Sequence, residues 1–239
     1  MPVDPRLIAE VRSLPYPAVY ATICGDTLYG IDPIDDELDV RGCHVIPARE
    51  IVKLRAPSDS IAGSVHRDGL EFEFCSHDIK KICLMLLKKN GCVIEQILSP
   101  HIVFTTPEHD ELKEIAPQCV GRHMAHHYQS QARLQWDIAD RSPRGLLYSF
   151  RLLLTGIHLM RSGELIPDLP GLRECHKATW LDDLDPTVPR EEHRPRYESL
   201  VEEMALTTRT SPLPAAPPDH ARERLDDLLV RVRMREPAA

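Results

Sequence analysis

Two stretches of this chain before residue 106 alternate apolar and polar residues at a period of two, whereas beyond residue 107 the apolar residues recur at helical spacing almost throughout. A two-residue period belongs to strands with one buried face. "ELDVRGCHVI" (37–46) sets Glu37, Asp39 and Arg41 against Leu38 and Val40, and "GLEFEFCS" (69–76) sets Glu71 and Glu73 against Leu70, Phe72 and Phe74. "PAVYATICG" (17–25) is a third, continuously apolar strand that runs into a turn at Gly25. From Asp78, a helix cap, "DIKKICLMLLKKNG" has helical spacing and stops at Asn90-Gly91. After residue 107 come "PEHDELKEIA", "VGRHMAHHYQSQARLQWDI" and "PRGLLYSFRLLLTGIHLMRSGEL", then two more helices split by the proline-rich "TSPLPAAPP". The pattern predicts an α+β unit over residues 1–106 followed by an α-helical domain over 107–239.

The stretch before the second strand carries four acids in five positions, Asp35, Asp36, Glu37 and Asp39. Two carboxylates about 4 Å apart repel by on the order of 4 kcal/mol at an effective dielectric of 20, so they call for either open water or a cation. Glu37-x-Asp39 alone reads as a solvated strand face. A neighbouring strand changes the balance, because Glu71 or Glu73 could then join Glu37 and Asp39 and offer hard oxygen ligands to Mg²⁺ or Mn²⁺. Gly25, at a strand end, leaves room for a phosphate to reach backbone N–H groups.

Composition narrows the class of protein. Of 239 residues, 42% are hydrophobic and 28% charged, the balance of a globular chain that buries a core. The seven cysteines form no C-x-x-C pair and sit mostly in apolar runs, which argues for reduced core thiols rather than a zinc knuckle or disulfide framework. A net charge of −8 disfavours a general nucleic-acid coat and leaves room for a local basic groove. The N-terminus, "MPVDPRLIAEVRS", has no secretory pattern and no run reaches membrane-spanning length, so a cytoplasmic location is expected.

Gly25-x-x-x-Tyr29-Gly30, followed by Glu37-x-Asp39-Val40-Arg41-Gly42, resembles the DNA polymerase β nucleotidyltransferase superfamily, in particular its branch associated with bacterial RNA repair pathways. "HDIKKICLMLLKKNGCVIEQIL", "LLYSFRLLLTGIHLMRSGEL" and "TSPLPAAPPDHARERLDDLLVRVRMR" are similar to later segments of that branch, so the likeness spans nearly the whole chain. The resemblance implies a mixed sheet with flanking helices, an NTP substrate, Mg²⁺ or Mn²⁺, and transfer of an NMP to a hydroxyl, with an RNA or tRNA end as acceptor and an RNA ligase pathway as partner. It makes Glu37, Asp39 and Glu73 the metal carboxylates and catalytic residues. Gly25, Asp26, Thr27, Tyr29, Gly30 and Arg41 become the nucleotide-binding set, with Arg41 either touching phosphate or pairing with the acids.

The chain departs from the family pattern at three places. Asp26 stands where Ser is usual, with Thr27 as an alternative hydroxyl, and Glu37 and Glu73 replace Asp, adding about 1.5 Å of reach each. These changes give an alternative reading, a non-catalytic nucleotide or RNA sensor; a toxin–antitoxin transferase that modifies tRNA or protein is another. Secondary candidates are His123 and His127 as a helical pair, Lys80, Lys81, Lys88 and Lys89 as a basic strip, and Glu95 as a support for the site or a satisfied helix-end acid.

Overall fold

The computed structural model describes residues 4–32, 37–67, 69–185 and 188–235. The chain groups into two compact units, one of Met1–Leu87, Cys92–Cys119 and Pro217–Ala239, the other of Lys88–Gly91 and Val120–Ala216.

The first unit is built on a five-stranded sheet. Its strands are β1 (Ala18–Ile23), β2 (Leu38–His44), β3 (Ser60–Arg67), β4 (Leu70–Asp78) and β5 (Ile102–Phe104), in the order β3-β4-β2-β1-β5. The β2–β4 pair is parallel and the others antiparallel, so the sheet is mixed. Alternation works as the sequence predicts: Val40, Leu70 and Phe72 bury against Ala21, Ile23 and Val103 and against Leu7 and Val11 of α1 (Pro5–Arg12). On the opposite face Glu71 and Glu73 reach solvent.

Asp78 ends β4 and caps α4 (Ile79–Leu86), accepting from the Lys80 N–H at 3.0 Å. The helical pattern read as continuous to Asn90 breaks after Leu86, and a separate helix, α5 (Gly91–Leu98), follows. Two short helices, α2 (Gly25–Tyr29) and α3 (Ala48–Ile51), flank β2.

Helices α6 (Pro107–Ile115) and α11 (Asp219–Arg233) lie within the same unit as the sheet. Their amphipathic patterns had placed them in the helical region, whereas the compact units divide after Cys119 and again before Pro217. Leu112, Ile115 and His109 of α6 are fully buried, and the His109 ring stacks on Tyr20 of β1 at 4.6 Å.

The second unit is helical: α7 (Ala125–Ile138), α8 (Pro143–Ser162), α9 (Leu169–His176) and α10 (Arg190–Thr210). The core of this unit runs along α8 through Leu146, Phe150, Leu153 and Ile157. Gly156 makes the packing possible, since a Cβ there would lie 2.7 Å from Met204 of α10 and 2.9 Å from Tyr128 of α7. Among the described residues, no helix is long and apolar enough to cross a membrane. Cys24, Cys43, Cys83 and Cys119 are buried as expected of core thiols; Cys175 is exposed.

Candidate active site

Strand register assembles the centre of the site. In the parallel β2–β4 ladder Asp39 is the direct partner of Glu73. Neighbouring strands stand about 4.8 Å apart and partnered residues project to the same face, so the two carboxylates are side by side. Glu71, two residues earlier on β4, shares that face but lies one row away. Glu37 precedes the first residue of β2 by one position. Among the described residues, no three His, Cys, Asp or Glu side chains are grouped so as to hold a metal ion. The structure therefore brings Asp39 and Glu73 together as a pair and does not close Glu37 around them.

The turn after β1 packs onto this pair. The Cys24 N–H donates to the Asp39 carbonyl at 2.7 Å, and Gly25 follows with φ +59°. A Cβ on Gly25 would lie 3.0 Å from the Asp39 Cβ and 3.2 Å from its Oδ2, so glycine is required both by backbone conformation and by contact with the carboxylate. Asp26 and Thr27 are half-buried in the first turn of α2. Gly30, at φ +63°, ends that turn by donating its N–H to the Asp26 carbonyl.

Electrostatics single out Asp39. Its carboxyl is pushed above the usual range by burial; Arg41 opposes that shift, and the charges of Glu73 and Asp26 add to it. Arg41, two residues on along the same face, places Nε 2.6 Å from the Asp39 Oδ1. Of the two roles the sequence leaves open for Arg41, pairing with the acids is the one the structure displays.

Tyr29, which the resemblance puts in the nucleotide-binding set, is packed into the core. Its ring is buried and its hydroxyl donates to Glu95 Oε2 at 2.9 Å, with Glu95 itself 1% exposed. The pair ties α2 to α5 beneath the turn, so Glu95 supports the site. Asp35 and Asp36, the other two acids of the crowded run, lie outside the described residues.

The two histidines four positions apart do not share a helix. His123 sits in the 3₁₀ turn Arg122–Met124 ahead of α7, with Nε2 3.2 Å from the Lys88 carbonyl, while His127 lies on α7 itself with its ring edge-on to Tyr128. Lys80, Lys88 and Lys89 are exposed, and Lys81 turns onto Ser60 and Asp59. The residues around Ser60 escaped notice because β3, "SIAGSVHR", is too small and polar to alternate visibly.

A family model described as the RNA repair pathway DNA polymerase beta family matches residues 3–231. An uncharacterized protein of Methanocaldococcus jannaschii is 27% identical over 164 residues, which cover 66% of this chain and 67% of that one. A crystal structure of a nucleotidyltransferase-like protein from Exiguobacterium sibiricum covers 95% of this chain and 73% of that chain, at 11% identity and a TM-score of 0.34.

Proposed function

Because the chain belongs to the RNA repair pathway DNA polymerase beta family, we propose that it is a metal-dependent nucleotidyltransferase that moves an NMP from an NTP to the 3′ hydroxyl of an RNA in end repair. The observation that supports this reading best is the Asp39–Glu73 partnership across β2 and β4, with Gly25 against Asp39. Carboxylate oxygens are the donors that Mg²⁺ and Mn²⁺ prefer, and the repulsion acting on Asp39 is what a cation relieves. Asp39 and Glu73 would hold the ion, which would supply charge neutralisation for the triphosphate and the entering oxygen, and Glu37, one position before β2, would have to move onto it to serve as the third ligand.

The remaining roles fall to the chain. The backbone of the Gly25 turn and the Thr27 hydroxyl bind the triphosphate, while Glu73 orients the acceptor hydroxyl. The acceptor oxygen forms a bond to the α-phosphorus as the bond to the bridging oxygen breaks; pyrophosphate leaves and the hydroxyl proton passes to solvent. Positioning and charge neutralisation carry the rate, with no covalent enzyme intermediate.

Purified protein incubated with each labelled NTP, Mg²⁺ or Mn²⁺, and RNA, tRNA and DNA ends tests the reading. Transfer to RNA is expected, with a loss of about a hundredfold or more in Asp39→Ala and Glu73→Ala. Transfer that survives in both variants overturns the assignment. The Arg41–Asp39 ion pair, with Asp26 beside it, favours a second reading, a nucleotide sensor; NTP binding without transfer to any acceptor would select it.

A further inference from the structure

The face that carries the carboxylates continues past them. Register places Ser64, Glu73 and Asp39 in one row across β3, β4 and β2, Ala62, Cys75 and Arg41 in the next, and Ser60 and His77 in the third. Rows two residues apart are about 6.6 Å apart along the strands. The polar groups are linked in sequence. Arg41 pairs with Asp39 and is the register partner of Cys75; Cys75 Sγ lies 4.0 Å from His77 Nε2; His77 Nδ1 lies 3.0 Å from Ser60 Oγ. Lys81, in the first turn of α4, donates to Ser60 Oγ at 2.8 Å and to Asp59 Oδ1 at 3.0 Å. The face therefore carries carboxylates at Asp39 and Glu73 and, further along, two cations, Arg41 paired with Asp39 and Lys81 paired with Asp59, with the His77 imidazole between them.

Nothing bulky closes this shelf on its outer side. β3 is the edge strand, and its residues there, Ser64 and Ala62, are small and exposed. Lys81 keeps 35% of its side chain in solvent. Burial, followed by the charges of Lys81 and Arg41 against that of Asp59, pushes the His77 imidazole below its usual range, so it would meet a phosphate as a neutral hydrogen-bonding group.

We propose that this shelf holds the sugar–phosphate backbone of the acceptor RNA, with the terminal hydroxyl at Glu73 and the adjoining phosphates along Arg41, His77 and Lys81. The proposal rests on the transferase reading and adds to it the acceptor's site and direction. Two cations flanking a polar histidine, with small neighbours, suit a single strand held by its backbone without regard to sequence.

Binding of a fluorescent single-stranded RNA bearing a 3′ hydroxyl, measured without NTP across a salt series, tests it. Lys81→Gln should weaken binding about three- to tenfold and lower the slope of log K against log salt by about one, whereas His77→Gln, which removes a neutral imidazole, should weaken binding and leave the slope unchanged. Lys81→Arg should bind as the wild type does, which separates charge from folding. Lys53→Gln, an equal charge change at an exposed site whose side chain pairs with Glu50, should change nothing. Unaltered affinity and slope in both shelf variants overturn the shelf while leaving the transferase reading in place, as does an equal loss in Lys53→Gln. A wild-type protein that binds no RNA overturns both.

Discussion

Asp39 bears conflicting demands that stability measurements can expose. Its ionised form is disfavoured in the folded chain, chiefly by burial, so just above pH 3.8 the native state holds more proton at this site than the unfolded state. Stability contributed by the site then falls as pH rises through that window and stays lost above it. Asp39→Asn should therefore abolish transfer yet match or exceed the wild type in urea midpoint at pH 7, with the difference shrinking towards pH 4. A divalent cation should stabilise the wild type in proportion to its occupancy and leave the variant unmoved. Gly25 faces the same carboxylate: Gly25→Ala combines a left-handed backbone with a Cβ 3.0 Å from Asp39, and about 1–3 kcal/mol of stability should go with it, read from denaturant midpoints. At Tyr29 the prediction separates core from contact. Tyr29→Phe deprives the buried Glu95 of a donor and should cost about 1–3 kcal/mol, whereas a tyrosine serving only to stack on a base would lose almost nothing. Glycine, acid and arginine spacing was legible in the sequence at this scale. The Tyr29–Glu95 bond was not, because the two residues are 66 positions apart and no local pattern couples them.

Among the elements, α11 shows how unequal ion pairs can be. Along α6 and α11, Glu114 meets Arg224 at 3.2 Å, Glu111 meets Arg231 at 2.9 Å and Glu108 meets Arg235 at 2.8 Å, an antiparallel ladder open to water on the arginine side. Arg233, between Arg231 and Arg235, turns inward to Asp78, with side chains only 12% and 5% exposed. Exposed pairs contribute at most about 1 kcal/mol, whereas removing one partner of a buried pair costs about 3–5 kcal/mol. Asp78 has further duties, accepting from the Ile46 N–H and capping α4, so an unpaired charge there weakens the junction of β4 and α4 next to the site. Arg233→Met should thus lower the melting temperature by several degrees more than Arg224→Met. Equal shifts would mean that Asp78 is hydrated and that burial does not set the energy of this pair. The alternation of β2 and β4 and the cap at Asp78 could be read directly, since both depend on neighbours in the chain. β3 and β5 could not: the first is small and polar, and the second spans three residues.

At the scale of the whole molecule, helical periodicity says that a face is apolar and is silent about what covers it. Both α6 and α11 read as parts of a helical domain beginning at residue 107, yet each packs within the sheet-bearing unit, and the chain enters the second unit and returns before its end. A fragment ending at residue 106 would keep every strand and every proposed ligand. It would nonetheless lose Leu112 and Ile115 from its core, the His109 ring stacked on Tyr20, and the arginine partner of Asp78. Full removal of a buried leucine or isoleucine side chain alone costs about 2–5 kcal/mol, against the 5–15 kcal/mol that holds a typical domain folded. Residues 1–106 expressed alone should accordingly show no cooperative thermal transition and should expose apolar surface to a hydrophobic dye, while the full chain melts cooperatively. A fragment that melts as sharply as the full chain would show that α6 and α11 are accessories to the sheet and would return the domain boundary to residue 106. If the fragment fails, a missing transferase activity in it carries no information about Asp39 and Glu73, because the strands that set their register would themselves be unfolded.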